Sequence, residues 1–231
     1  MQQHKVVLLR HGESLWNKEN IFTGWVDIEL SDLGREQAKE AGGILKENGF
    51  VFNMAFTSVL KRAAETLELT LKEMGQSDIP IEKAWQLNER HYGALQGVDK
   101  KTAVEKFGLE QVMAWRRGYK AKPPAIDKGS PPFTESLEDV YSRIVPYWQE
   151  RIAPLIVQGK SILISAHGNS LRALIKKLDN ISDKDIESLN IPVGIPLIYE
   201  LDETLKPINH YYLGDKNKTE WAIKTVENQL K

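Results

Sequence analysis

Val6-Val7-Leu8-Leu9-Arg10-His11-Gly12-Glu13-Ser14 is the stretch on which the reading of this chain turns. Four apolar residues make a short strand, and the strand runs into Arg-His-Gly just before a segment of helical character. The same grammar returns far along the chain in Ile162-Leu163-Ile164-Ser165-Ala166-His167-Gly168-Asn169-Ser170. A histidine therefore stands twice at the carboxyl end of a strand, where an open α/β sheet holds its ligands. The glycine beside each histidine lets backbone approach an anion closely, and the helix start that follows offers unpaired N–H groups. With Arg10 added, the constellation reads as a phosphate site with an imidazole inside it.

Outward from these two motifs, apolar runs and amphipathic stretches alternate, with the strands far enough apart to need crossover connections. Ser31 caps a helix from about residue 33 to about 49, with Ala38, Ala41, Ile44 and Leu45 turned inward. A strand is expected at 53–57, then a helix over about 59–74 whose stripe is Leu60, Ala63, Leu67 and Leu71. Residues 75–80 read as a turn, 88–97 as a loop at the top of the sheet, and 100–115 as broadly helical. Four prolines make 122–132 a surface loop. A helix over 137–148 should be kinked or interrupted at Pro146. A helix over 171–178, strands at 195–201 and near 208–213, and a terminal helix after Trp221 complete the series. No repeat, linker or low-complexity segment divides it. The expectation is one domain spanning 1–231, of α/β class, with three layers: a mostly parallel central sheet and helices on both faces.

Bulk properties bound the function. At 231 residues the chain can bury a substantial core, and 41% hydrophobic with 27% charged residues is an ordinary globular composition. Lys and Arg number 31 against 32 Asp and Glu, so the basic excess of a nucleic-acid binder is missing. A local cluster can still focus potential in a neutral protein. The chain has no cysteine, which excludes disulfides, thiolate catalysis and thiolate-held metals. The apolar run before Arg10 is too short for a signal-peptide core, and no run approaches the ~18 apolar residues of a membrane span. A cytoplasmic protein with neither nucleic-acid nor membrane partners is expected.

The residue types then suggest a chemistry. To accept a phosphoryl group an imidazole must be neutral, and nearby guanidinium groups lower its pKa by repulsion. Arg10 could hold His11 unprotonated and also neutralise the oxygens of the transferring group. His167 can face His11 across one crevice and donate to the transition state, with Asn169 and the Gly168 amide as neutral donors. Arg62, at a strand-to-helix corner, opposes the local helix dipole; it is either a solvated surface residue or a phosphate clamp. Arg116-Arg117 close a helix, where cations are ordinarily welcome, and Lys100 beside Lys101 reads most simply as a solvated face. Glu89, in Asn88-Glu89-Arg90-His91-Tyr92-Gly93, is either an ion-pair partner of Arg90 or a proton shuttle for a substrate hydroxyl. There is no HExxH and no carboxylate cluster at ligand spacing, so no metal is expected, and no Walker pattern is present.

At this point the residues carry a resemblance. Leu9-Arg10-His11-Gly12-Glu13-Ser14, Asn17 and Phe22-Thr23-Gly24-Trp25 resemble the histidine phosphatase superfamily. Within it, Thr57 to Ala63, Leu87 to Gly97, Trp115-Arg116-Arg117-Gly118, Ala166 to Leu174 and Asn190-Ile191-Pro192 are similar to the branch of cofactor-dependent phosphoglycerate mutases. The likeness runs collinearly over about residues 5–214. It implies that His11 is the phosphohistidine, that Glu89 gives and takes the proton, and that His167, Arg10 and Arg62 stabilise the transition state. Phosphate and carboxylate ligands are implied at Ser14, Asn17, Thr23, Gly24, Arg90, His91, Tyr92, Lys100, Arg116, Arg117, Gly168 and Asn169, with Gly12 and Glu13 in the same motif. The implied reaction is an isomerisation of glycolysis and gluconeogenesis, 3-phosphoglycerate to 2-phosphoglycerate, primed by 2,3-bisphosphoglycerate and needing no metal. A histidine-type phosphatase acting on small phosphorylated acids is the alternative. One departure stands out. Between Tyr119 and Phe133 the chain is shorter than the longer members of the family, which leaves water exclusion and the family's homodimer open. Residues 226–231 are a candidate cover over the site.

Overall fold

In the computed structural model, which describes residues 4–126 and 133–230, strand β1 (His4–Arg10) lies inside a six-stranded sheet. From edge to edge the order is β3 (Ile81–Lys83), β2 (Met54–Thr57), β4 (Ile162–Ala166), β1, β5 (Leu197–Leu201) and β6 (Pro207–Tyr212). Strands β3, β2, β4 and β1 run parallel; β5 is antiparallel to β1, and β6 to β5. The sheet is thus mixed, with the parallel part holding both histidine motifs.

The period of two along β1 builds both outer layers, because successive side chains leave a strand on opposite faces. Val6 and Leu8 pack with Leu137, Val140 and Ile144 of helix α6 (Leu137–Tyr147) and with Leu171, Leu174 and Ile175 of α8 (Gly168–Leu178). Val7 and Leu9 turn the other way, against Ala41 and Leu45 of α2 (Asp32–Glu47) and Leu67 and Leu71 of α3 (Lys61–Met74). A short α1 (Leu15–Lys18) leads from β1 to α2. A smaller cluster, Phe22, Tyr92, Leu95, Ala103 and Val112, joins α4 (Lys100–Phe107) and α5 (Leu109–Arg117) above the carboxyl ends of the strands. Helix α7 (Ala153–Val157) precedes β4, and α9 (Lys216–Glu227) follows β6.

Several local expectations are corrected. Strand β3 follows the 75–80 turn, where no strand was expected. The helix expected over 100–115 is two helices, α4 and α5, parted at Gly108, whose φ of +82° no ordinary helical residue adopts. The interruption expected at Pro146 is present, α6 ending at Tyr147; its form is a π turn over Trp148–Ile152 that runs on into α7. Proline removes one ladder hydrogen bond, and a π turn next to it accommodates the misfit. Helix α9 starts five residues before Trp221, capped by Asp215, which accepts from the Lys218 N–H. Of the loop expected over 122–132, residues 127–132 lie outside the described residues. Among the described residues no helix is long and apolar enough to cross a membrane.

Candidate active site

The strand register sets the site. β1 and β4 are parallel neighbours with Arg10 opposite Ala166, so His11 and His167 emerge side by side, one residue beyond. The His11 N–H donates to Ala166 O at 3.0 Å and ties the two strand ends together. Past this point α2 packs on one face of the sheet and α8 on the other, which opens a crevice between the strands. The two imidazole rings stand 4.9 Å apart at 64°.

His11 is nearly fully buried, and its Nδ1 lies 2.7 Å from Gly12 O. A carbonyl oxygen can only accept, so Nδ1 carries the ring proton and Nε2 keeps its lone pair. Burial, then the charges of Arg62 and Arg10, hold His11 well below the ordinary histidine pKa of 6.5. His167 is pushed down in the same way, by burial, Arg62 and His11. Neither His167 ring nitrogen has a hydrogen-bond partner among the described residues, although the side chain is fully buried. Its backbone N–H is taken by Ser170 Oγ at 2.9 Å as α8 begins.

Gly12 serves a close approach. A Cβ there would lie 2.2 Å from Gly34 O, and one on Gly34 would lie 2.0 Å from Glu13 O. The first turn of α2 therefore rests backbone to backbone on the His11 loop. Ser31 caps that turn, accepting from the Gly34 N–H at 3.0 Å while its hydroxyl donates to Glu13 Oε1 at 2.7 Å. Gly12 N donates to Thr66 Oγ1 on α3, so both helices of this layer brace the loop.

Six cations and one carboxylate, Glu89, line the cavity at the sheet's carboxyl end. Arg10 donates to Ile191 O at 2.7 Å, and Arg62 to Gly24 O at 2.8 Å and Val26 O at 3.0 Å. Lys100 Nζ reaches Asn20 Oδ1 and Gln229 Oε1, both at 3.2 Å; Arg116 donates to Val226 O at 2.8 Å and to Gln229 Oε1. Arg117 donates to Asn190 Oδ1, and Arg172 to Asn169 Oδ1 at 2.9 Å and Arg117 O at 2.9 Å. These partners are carbonyl and amide oxygens, which orient a guanidinium without cancelling its charge. Burial pushes Arg62 down to about 10 and Arg116 and Arg172 to about 9. Lys100, buried and repelled by Arg116 and Arg10, falls to about 7. Arg10 Nε, Arg116 Nη1 and Arg172 Nε find no acceptor among the described residues. So much buried positive charge is costly until an anion joins it.

Of the residues singled out in the sequence, Arg10, His11, Asn17, Thr23, Gly24, Arg62, Glu89, Tyr92, Lys100, Arg116, Arg117, Gly168 and Asn169 line this cavity. His167 stands behind it against His11. Gly12, Glu13, Ser14, Arg90 and His91 lie outside the lining. Ser14 and Asn17 bond each other in a capping box at the start of α1, and Glu13 serves Ser31. Arg90 lies beneath, donating to Tyr92 Oη at 3.1 Å and Arg116 O at 2.6 Å. His91 packs on Phe133 and Trp25. Sequence reasoning missed Arg172, Ile21, Phe22 and Ile191 as lining residues. Arg172 was findable: three residues after Asn169 on one helix, it shares Asn169's face. From the 226–231 segment, Val226 and Gln229 reach the cavity. Among the described residues no group of three or more His, Cys, Asp and Glu side chains could hold a metal ion.

Known proteins resemble this chain in sequence and in fold. The pattern of the histidine phosphatase superfamily (branch 1) matches residues 6–208. A protein of Borreliella afzelii (strain PKo) named 2,3-bisphosphoglycerate-dependent phosphoglycerate mutase is 51% identical over 245 aligned positions, which cover 99% of each chain. That span exceeds 231, so the relative carries residues this chain lacks. Among solved structures, mycobacterial hydrolase 1 superposes with a TM-score of 0.74 at 23% identity, over 91% of this chain and 97% of its own. A mycobacterial glucosyl-3-phosphoglycerate phosphatase gives 0.71 at 24% identity, over the same shares. The family match over residues 6–208 and the 51% identity over nearly the whole chain show that the chain belongs to the histidine phosphatase superfamily.

Proposed function

We propose that this chain is an isomerase that interconverts 3-phosphoglycerate and 2-phosphoglycerate, carrying a phosphoryl group on His11 and depending on 2,3-bisphosphoglycerate. The observation that carries the reading is the neutral His11 imidazole, its Nδ1–H held by Gly12 O, inside a cage of six cations around one carboxylate. The name of the Borreliella relative supports the mutase over a hydrolase of the same superfamily. The donor set fits a compact acid with several negative charges, since buried guanidinium nitrogens of Arg10, Arg116 and Arg172 lack acceptors. Bound there, 2,3-bisphosphoglycerate supplies the phosphoryl group that charges His11.

In this reading Nε2 of His11 is the nucleophile. Its lone pair forms the N–P bond as a P–O bond of the donor breaks, the electron pair staying on the departing oxygen. Glu89 Oε1 accepts from the N–H groups of Arg90 at 2.7 Å and Asn169 at 3.1 Å, which leaves Oε2 for the proton. That oxygen protonates the departing alkoxide and, in the reverse transfer, takes the proton of the attacking hydroxyl. Arg10 and Arg62 neutralise the equatorial oxygens, and His167 donates to the same charge. Lys100, Arg116 and Arg117 hold the remaining phosphate or carboxylate, with Tyr92, Thr23, Gly24, Asn17, Gly168 and Asn169 as neutral contacts.

The proposal takes residues 1–231 as one catalytic domain, supported by a lining that draws on residues from Arg10 to Gln229. It places the enzyme in the cytoplasm as a homodimer, and light scattering at assay concentrations checks the assembly. The deciding assay converts 3-phosphoglycerate in EDTA, with and without added 2,3-bisphosphoglycerate, while free phosphate is followed. Isomerisation stimulated by bisphosphoglycerate with little phosphate release is expected. Phosphate release without isomerisation would replace the mutase by a phosphatase.

A further inference from the structure

Arg143 and Glu135 form a bidentate ion pair buried outside the cavity: Nε to Oε1 is 2.8 Å and Nη2 to Oε2 is 3.0 Å, with side chains only 7% and 6% exposed. A buried ion pair is weak support for stability, because apolar side chains of similar volume often do as well. What this pair does touch is one backbone segment. Arg143 Nη1 donates to Gln86 O at 2.6 Å, and Nη2 to Asn88 O and Glu89 O, both at 3.0 Å. Glu135 Oε2 accepts from the His91 N–H at 2.8 Å, and the Glu135 N–H donates to His91 O at 2.9 Å. The guanidinium lies near the faces of Trp25 and Trp85, and the Trp25 indole N–H also donates to Glu89 O.

We propose that Arg143, paired with Glu135, is a positioning residue that fixes the backbone on both sides of Glu89 and so aims its carboxylate at the reacting oxygen. A planar fork can reach a carboxylate and three carbonyls at once, the two Nη2 hydrogens being shared among Glu135 Oε2, Asn88 O and Glu89 O; an ammonium on a flexible stem cannot hold this geometry. The bonds go to main-chain atoms, so they set the path of the segment whatever its side chains. Arg143 also adds to the positive field that keeps His167 neutral, and a lysine would keep that part.

The inference rests on Glu89 as the proton shuttle, and the experiment separates the two. Arg143→Lys, Glu89→Gln and their double variant are compared by kcat, KM and thermal unfolding. Arg143→Lys should fold, leave KM within about threefold, and lower kcat by about 30- to 100-fold, since a displacement of ~1 Å at a reacting group costs that much. In the Glu89→Gln background the same substitution should cost less than about threefold, because it acts through a carboxylate already gone. Should Arg143→Lys prove unstable, Arg143→Gln/Glu135→Gln removes both charges and should show the same loss of kcat. A folded variant with kcat within about twofold of wild type, or a loss fully additive with that of Glu89→Gln, overturns the positioning role and leaves the shuttle standing. A Glu89→Gln enzyme with undiminished kcat would end the shuttle reading, and this inference with it.

Discussion

Arg62 occupies a place on its helix that its own element disfavours. It sits in the first turn of α3, where the dipole prefers anions, and burial has brought its pKa down to about 10. Two carbonyls of the 24–26 segment hold it there. Removing this clamp by Arg62→Ala should cost on the order of 2–4 kcal/mol in kcat/KM, a loss of transition-state charge stabilisation. Steady-state kinetics within twofold of wild type would take Arg62 out of the site. Lys100 makes a prediction with a sign. Its folded pKa is lowered from 10.5 to about 7, so near pH 8 the empty protein holds it mostly neutral. A bound anion restores its charge, and binding must then draw one proton from solution. Calorimetric titration with sulfate in two buffers of unequal ionisation enthalpy reads this uptake, which Lys100→Met should lose. Equal heats in both buffers for wild type would deny the shift. At this scale the pairing of the two strand-end histidines was legible, since each is fixed by its neighbours in the chain. The 226–231 segment was read only as a cover; that its Gln229 bonds Lys100 and Arg116 depends on where α9 docks, and no local pattern records that.

Among the elements, α2 bears most directly on the chemistry, because its first turn lies against the His11 loop. Ser31 caps that turn and also bonds Glu13, so Ser31→Ala removes two interactions at one point. Urea unfolding should show a loss of about 1–2 kcal/mol. A change near zero would mean that water replaces the hydroxyl at no cost. Helices with a strong apolar stripe, such as α2 and α3, were readable to within a few residues. β3 was not, being three residues, Ile81-Glu82-Lys83, with Pro80 before it and little burial. The start of α9 was hidden too, because Lys216 to Thr219 carry no apolar stripe and only the Asp215 cap marks it. The break at Gly108 could have been read from the glycine alone. The π turn after Pro146 could not, since the proline predicts a kink or an interruption without fixing its form.

Over the whole molecule the charge nearly cancels, yet the cavity gathers five arginines and Lys100 around one carboxylate. Folding therefore stores repulsion that an anion relieves. Phosphate or 2,3-bisphosphoglycerate at 100 times its dissociation constant should stabilise the fold by about 2.7 kcal/mol, read as a raised unfolding midpoint. No shift at saturation would contradict the cage. The paired histidines add a dependence on pH. Both have folded pKa values well below the 6.5 of an unfolded imidazole, so below 6.5 the unfolded chain binds more protons. Stability is complete above that value and falls as pH drops beneath it. The decline from pH 7.5 to 5.5 should be shallower in His167→Gln, and equal slopes would place the titration elsewhere. Two faces of helices over a mostly parallel sheet were legible from strand spacing and period, because burial writes itself into alternation. The reversal at β5 was not, since a single antiparallel strand has the same pattern.

The contact between Gly12 and Gly34 has a genetic consequence. In an ordinary core, a side chain that grows can be offset by a neighbour that shrinks. Here both partners are already the smallest residue there is, and each would collide with main chain that cannot be trimmed. A suppressor screen begun from Gly34→Ala should return only restored glycine at 34, with no compensating change anywhere along the His11 loop.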